Sequence, residues 1–158
     1  MKYIFIPLFL LLLVTPAYAQ DSGLPLLVTD NDHKGTNVRS APGGAVIRVL
    51  PGVPKTEEEL EMRAVTATGQ EGPWLNVHLY DDSTGWMHAS VLGTCASSTE
   101  DGEPVMYAEP DDLSPVVTSV KQDTPLRLLE LRGIWAKVET TGSGAKKSGW
   151  MMEQTLFA

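Results

Sequence analysis

The sequence of 158 residues predicts an all-β protein made of two tandem small β-barrels. Turn-forming residues are frequent, with 14 glycines and 11 prolines. The apolar runs between them are short and often alternate with polar residues, as expected of strands that bury one face. In addition, three short motifs occur twice in the same order, which indicates two copies of one folding unit.

The first 19 residues have the layout of a secretory signal peptide. Lys2 gives a positive start, residues 3–14 are apolar apart from one proline, and Ala17 and Ala19 form a small-residue cleavage site. The apolar run is shorter than the roughly 20 residues that a membrane-spanning helix needs. We therefore expect cleavage after Ala19, a periplasmic or secreted location, and no stable membrane span after cleavage.

Three motifs recur along the rest of the chain. In order, the matched segments are 37–42 with 105–110, 74–77 with 135–138, and 85–87 with 149–151. The spacing between motifs differs in the two copies, which indicates loops of different length rather than a solenoid of fixed period. We place the first unit at residues 24–95, a small polar linker at 96–102, and a second, more divergent unit at 103–158.

Each copy is predicted to consist of short strands separated by turns. The expected strands include 45–50, 60–64, 74–80 and 86–89 in the first copy, and 116–120 and 126–128 in the second. Helix signals are nearly absent. The exception is Thr56 with Glu59 three residues later, which has the spacing of a capping box and predicts one helical turn at most.

In this order and spacing the motifs resemble those of the bacterial SH3 domain (SH3b), and the resemblance covers essentially the whole chain after the signal segment as two tandem copies. The first copy matches at all three motifs, whereas the second has Met106-Tyr107 where Val-Arg is expected. The resemblance implies an SH3-type β-barrel in each copy. It also implies an exported targeting module that binds cell-wall peptidoglycan or peptides, often beside a cell-wall hydrolase domain.

The hairpin that begins at Trp74 is predicted to have one apolar face. A turn at 81–85 pairs Leu79 with Met87 and collects the apolar residues on one side, whereas a turn at 81–84 mixes apolar and polar residues on both. Because a one-residue slip exchanges the faces, the pattern favours the turn at 81–85. The residues expected on the apolar face are Leu75, Val77, Leu79, Met87 and Ala89, with Ala136, Val138 and Met151 in the second copy.

The opposite face of the hairpin is rich in aromatic and polar side chains, and we expect it to bind the ligand. Aromatic rings stack on sugar or peptide groups, and asparagine and histidine supply orienting hydrogen bonds. The candidate ligand-binding residues are Trp74, Asn76, His78, Tyr80, Trp86 and His88, together with Trp135 and Trp150 of the second copy. A structural alternative is that Trp74 and Trp86 close the barrel end or pack against the second copy.

The favoured register makes His78 and His88 cross-strand neighbours. Such a pair could bind a metal if Asp81 or Asp82 gave a third ligand, but two ligands without a clear third do not predict a metal site. We expect neither a metal nor a cofactor. Arg39 is expected to form structural hydrogen bonds beside the first turn rather than to contact a ligand.

Composition and motifs exclude several classes of protein. A net charge of −8 argues against binding to duplex DNA, and a single cysteine, Cys95, cannot build a disulfide framework or a cysteine-based zinc site. Cys95 is either a small buried residue or a site of pairing between chains. No phosphate-binding loop or catalytic triad pattern is present, so we expect no enzymatic activity.

The sequence therefore predicts an exported, non-catalytic binding module for peptidoglycan, cell-wall peptides or another envelope component. Two alternatives remain open at this stage. One is an acidic protein–protein adaptor or inhibitor in the periplasm, with a basic partner selected by charge. The other is an accessory subunit of a separately encoded cell-wall hydrolase.

Overall fold

The computed structural model describes residues 23–100 and 102–158, so the predicted signal peptide lies outside the described residues. Within them the all-β prediction is confirmed, because thirteen strands join one sheet and the α-helical content is a single short helix. No helix of the described residues is long and apolar enough to cross a membrane.

The strands follow one another in the same order in both copies. The first copy contains β1 (Leu24–Val28), β2 (Thr36–Arg39), β3 (Val46–Leu50), β4 (Ala64–Glu71), β5 (Trp74–His78), β6 (Thr84–His88) and β7 (Leu92–Ala96). Helix α1 (Glu57–Glu61) lies between β3 and β4. The second copy contains β8 (Val105–Tyr107), β9 (Val116–Ser119), β10 (Pro125–Arg132), β11 (Trp135–Thr140), β12 (Ser148–Met152) and β13 (Leu156–Phe157).

Strands β2 to β7 of the first copy correspond, in the same order, to strands β8 to β13 of the second copy. A short 3₁₀ turn precedes both β7 and β13. A bulge interrupts the β4–β5 pairing at Thr68 and the β10–β11 pairing at Leu129, which are equivalent positions. The strands therefore recur in the same order in the two halves of the chain, and the division into two barrel domains stays a prediction.

Strand β7 connects the two copies. The sheet order is β3-β2-β6-β5-β4-β1-β7-β10-β11-β12-β8-β9, and β13 also pairs with β7. In the first copy β7 is the last strand, and Leu92 pairs with Val28 of β1. In the second copy it takes the position that β1 has in the first, and Thr94 pairs with Leu126 of β10. The expected boundary near residue 95 thus falls inside a strand that both copies use.

Two sequence predictions for residues 56–64 were wrong, namely the strand at 60–64 and the length of the helical turn. Residues 60–64 are not a strand, because α1 runs through Glu61 and β4 begins only at Ala64. The capping prediction for that helix is confirmed, since the backbone N–H of Glu59 donates to Oγ1 of Thr56 at 3.1 Å. The acidic residues after Thr56 favour the N-terminus of a helix, and this preference extends the turn beyond its expected length.

The hairpin register also differs from the predicted one. Met87 pairs with Leu75 rather than Leu79, and the connection is Leu79–Ser83. The shift is by an even number of residues, so each side chain keeps its predicted face. All five residues expected on the apolar face are at most 5% exposed, as are the three expected in the second copy.

The glycine of each Gly-Trp-Met motif is required by a crossing strand. Gly85 lies on the inner face of β6, where a methyl group would overlap Cγ1 of Val38 on β2. At the equivalent Gly149, a methyl group would come within 2.9 Å of both Cβ of Met106 and the carbonyl oxygen of Tyr107. The repeated glycine therefore lets β2 and β8 pack closely on the hairpin.

We predict that Gly85→Ala lowers the free energy of unfolding by about 1–3 kcal/mol, as overpacking of a filled core does. Gly69→Ala on β4 is the matched control, because its new methyl group would meet only Cβ of Asn76 at an ordinary 3.9 Å. Chemical denaturation measures both variants. Equal stability of Gly85→Ala and the unsubstituted protein would contradict the packing explanation.

Candidate functional site

The outer face of the first copy carries a row of side chains that crosses the sheet. Register pairs Arg39 of β2 with Trp86 of β6, Trp86 with Asn76 of β5, and Asn76 with Gly69 of β4. We call this row, together with Trp74 and His88 in the next row, the copy-one face. All its aromatic residues are partly exposed, which is the placement expected from the sequence.

Trp74 is held in place from two sides. The ring of His88 meets it edge-on, with centroids 5.2 Å apart and planes at 90°, and the guanidinium of Arg39 lies 5.7 Å from its centroid. Arg39 also donates from Nη1 to the carbonyl oxygen of Gly44 at 2.7 Å. This bond is of the structural kind expected for Arg39 beside the first turn, and it holds the guanidinium next to Trp74.

Trp86 lies in the centre of the row, next to Asn76, whose side-chain amide can still donate hydrogen bonds. Thr68 donates from Oγ1 to Oδ1 of Asn76 at 3.1 Å. No described residue accepts a hydrogen bond from the amide nitrogen of Asn76, so that group is available to donate. A flat ring beside a free amide suits a ligand that offers both a stacking surface and an acceptor.

His88 has a fixed hydrogen-bonding pattern. Its Nδ1 accepts from the backbone N–H of Ser90 at 3.2 Å and lies 2.8 Å from the Ser90 hydroxyl. This bond caps the 3₁₀ turn at Ala89–Val91. Because Nδ1 is the acceptor, the neutral ring carries its proton on Nε2.

The equivalent face of the second copy is closed. Trp135 meets Tyr107 edge-on with centroids 5.6 Å apart, but Trp150, the equivalent of Trp86, is only 3% exposed. The guanidinium of Arg132 lies 4.8 Å from the Trp150 ring centroid and the ammonium of Lys137 lies 5.8 Å from it. A ligand could stack on Trp150 only after these cations moved, so the two copies present different surfaces.

The remaining candidates of the first copy, His78 and Tyr80, line a cleft next to the copy-one face. The cleft has a volume of about 340 Å³ and lies between β1, β4 and the loop that follows β5. We call it the His78 cleft. Its polar lining residues are Thr66, Thr68, His78, Tyr80 and Asp82.

The predicted pairing of the two histidines was wrong. His78 pairs with Thr84 and His88 pairs with Trp74, so the histidines stand at opposite ends of the hairpin. The cause is the shift in register, which moves the strands past each other by four residues. In the described part of the chain, no group of three histidine, cysteine or acidic side chains is arranged to hold a metal ion.

The loop beside the cleft contains an ion pair. Nη1 of Arg48 lies 2.7 Å from Oδ2 of Asp81. The hydrogen bond from the Ser83 hydroxyl and then that from Arg48 lower the pKa of Asp81 to about 2, and the same carboxylate raises the pKa of Arg48. Sequence analysis missed this pair because β3 and the loop are distant along the chain.

Cys95 lies on β7, partly exposed, with no disulfide partner in the described residues. Burial, and to a smaller extent Asp123, raises the pKa of its thiol. The group is therefore mostly a protonated thiol near neutral pH, which reduces its reactivity as a nucleophile. Pairing between chains through Cys95 stays a prediction.

Compared with known proteins, the chain matches no protein-family model and no curated protein sequence. Among solved structures it is similar to NlpC2 from Trichomonas vaginalis, at 13% identity and a TM-score of 0.34, covering 87% of this chain. It is also similar to NlpC1 from Trichomonas vaginalis, at 14% identity and a TM-score of 0.36, covering 92% of this chain. The chain spans about half the length of each, 49% in both cases. The likeness is weak, so function has to be inferred from the geometry of the chain itself.

We predict that Asp81 contributes to stability above about pH 4 and that this contribution disappears as the pH falls toward 2. The folded pKa is about 2 and that of an unfolded aspartate is roughly 3.9, so the folded state resists protonation. Denaturation midpoints measured from pH 7 to pH 2 should differ between the unsubstituted protein and Asp81→Asn at high pH and converge at low pH. Asp112→Asn, an exposed acid in the second copy, is the control; a constant difference for Asp81→Asn would refute the assignment.

Proposed function

We propose that the protein is an exported, non-catalytic binding module whose copy-one face recognises peptidoglycan, cell-wall peptides or another envelope component. The observation that carries this proposal is the open position of Trp86, in the centre of a row whose equivalent in the second copy is closed. A partly exposed aromatic ring on a sheet, with a free amide beside it, is suited to a sugar ring or a peptide group.

The charges near Trp86 indicate how such binding should depend on salt. Arg39 is the one charged side chain in the row formed with Trp86, Asn76 and Gly69, and it is already bonded to Gly44. Stacking and neutral hydrogen bonds change little with ionic strength, whereas exposed charge pairs weaken as salt screens them. We therefore expect ligand binding on this face to persist at high salt.

The proposal of a non-catalytic role is supported by the surroundings of the lone cysteine. The cleft at Cys95 is lined by residues of β1, β7 and β10 together with Thr29 and Thr141, and no histidine is among them. A cysteine nucleophile needs an adjacent base and a lowered pKa, and Cys95 has a raised one.

A second candidate function is an acidic adaptor for a basic protein, including a separately encoded hydrolase. It is favoured by the edge of the sheet at β3. Among the described strands β3 pairs only with β2, and Val46, Ile47 and Val49 are 45%, 56% and 51% exposed. An apolar edge strand with unpaired backbone groups can accept a strand from a partner.

Sedimentation with insoluble peptidoglycan tests the proposal. We expect the exported protein to pellet at both low and high salt, and Trp86→Ala to bind about tenfold more weakly or worse, as loss of a central aromatic contact does. Leu113→Ala is the matched control, because Leu113 is 90% exposed and lies between β8 and β9 of the second copy, outside the copy-one face.

The outcomes separate the two functions. Absence of pelleting at both salts would reject a peptidoglycan ligand. It would favour the acidic adaptor, whose basic partner is absent from the assay. Pelleting that disappears at high salt and ignores Trp86→Ala would contradict binding through the copy-one face. Thermal unfolding of Trp86→Ala should match that of the unsubstituted protein closely enough to exclude a folding defect.

A further inference from the structure

We propose that the His78 cleft binds an ammonium group of the ligand, with the Asp82 carboxylate as its counter-ion. This inference rests on the proposed function, because it adds a charged subsite beside the copy-one face. The two surfaces are adjacent: Thr68 lines the cleft and donates its hydroxyl hydrogen to Asn76, the neighbour of Trp86. One ligand can therefore reach the stacking ring and the cleft together.

The His78 cleft contains a carboxylate that no cation of the described residues neutralises. Two adjacent carboxylates, Asp81 and Asp82, lie in the loop after β5, and Arg48 neutralises the first of them at 2.7 Å. Among residues 23–100 and 102–158, no lysine, arginine or histidine forms an ion pair with Asp82. Asp82 is therefore an uncompensated carboxylate of the cleft, in a protein whose net charge of −8 already attracts cations.

The other groups of the cleft are suited to accept hydrogen bonds. Thr68 has used its hydrogen on Asn76, so its oxygen offers lone pairs to the cleft. An ammonium group donates three hydrogen bonds and accepts none. Asp82 and Thr68 are acceptors of the kind it needs, and Thr66 adds a further hydroxyl.

The exposed ring of Tyr80 also favours a cation in the cleft. The ring is 49% exposed, and the guanidinium of Arg48 lies 5.8 Å from its centroid. Tyr80 thus already takes part in a cation–π contact within the protein. A second cation beside the ring, next to an unpaired carboxylate, gains from both interactions.

The experiment is a titration followed by amide chemical shifts of the exported protein. The probe is Nα-acetyl-lysine amide, and the matched ligand is its Nε-acetylated form, which has the same stem without the charge. We expect saturable shifts at residues 78–84 with the probe and at least tenfold weaker binding of the acetylated form. Equal binding of the two compounds, or shifts elsewhere only, would overturn the proposal.

Two variants with the same change in charge identify the counter-ion. Asp82→Asn keeps the fold, since Asp82 has a φ of 62° and asparagine is well tolerated in this left-handed conformation. It should weaken binding of the probe at least tenfold, whereas Asp112→Asn should leave it unchanged. Equal effects of the two substitutions would mean that only the net charge matters and would reject a site at Asp82.

Trp86→Ala distinguishes failure of this inference from failure of the proposed function. The probe is too small to need the stacking ring, so its shifts should survive this substitution. If the probe binds while peptidoglycan is not retained, the ammonium subsite is supported and peptidoglycan is the wrong ligand. If peptidoglycan is retained through Trp86 while the probe gives no shifts, the ammonium subsite is wrong.

Discussion

Strand β7 is the element on which the arrangement of both copies depends. One of its edges pairs with β1 and β13 and the other pairs with β10, so it completes the first copy and begins the second. Gly93 stands at the crossing point, where a side chain would come within 2.7 Å of Cγ2 of Thr29 and 2.9 Å of the carbonyl oxygen of Leu126. Separating the copies would break the pairing of β7 with β10 on one edge and with β13 on the other.

This shared frame leaves the outer faces free to differ. Both copies keep the glycine that admits a crossing strand and the tryptophan that follows it, yet Trp86 is open and Trp150 is covered by Arg132 and Lys137. In the first copy, Asn76 stands where Lys137 stands in the second. Glu71 likewise stands where Arg132 stands in the second copy, so neither cation that covers Trp150 has a counterpart over Trp86. The two copies therefore differ in the residues around a common tryptophan.

Which side chains of the hairpin are buried could be predicted from the sequence, because apolar and polar residues alternate there with a period of two. The alternation from Leu75 to Leu79 predicted the buried face correctly, whereas residues 60–64 were wrongly expected to form a strand. The hairpin register was predicted wrongly, because an even shift preserves every face and local pattern cannot distinguish the alternatives. The burial of Trp150 and the Arg48–Asp81 ion pair depend on long-range packing. The burial of Arg63 depends on long-range packing as well, because its guanidinium donates to the carbonyl oxygen of Val28 at 2.6 Å.

Binding through the copy-one face is tested most directly by following tryptophan indole and asparagine side-chain shifts while soluble peptidoglycan fragments are added to the protein. We expect the indole signals of Trp74 and Trp86 and the side-chain amide of Asn76 to move together and saturate, while the indole of Trp150 stays in place. Movement of the Trp150 signal without that of Trp86, or shifts confined to the edge strand β3, would contradict binding through this face.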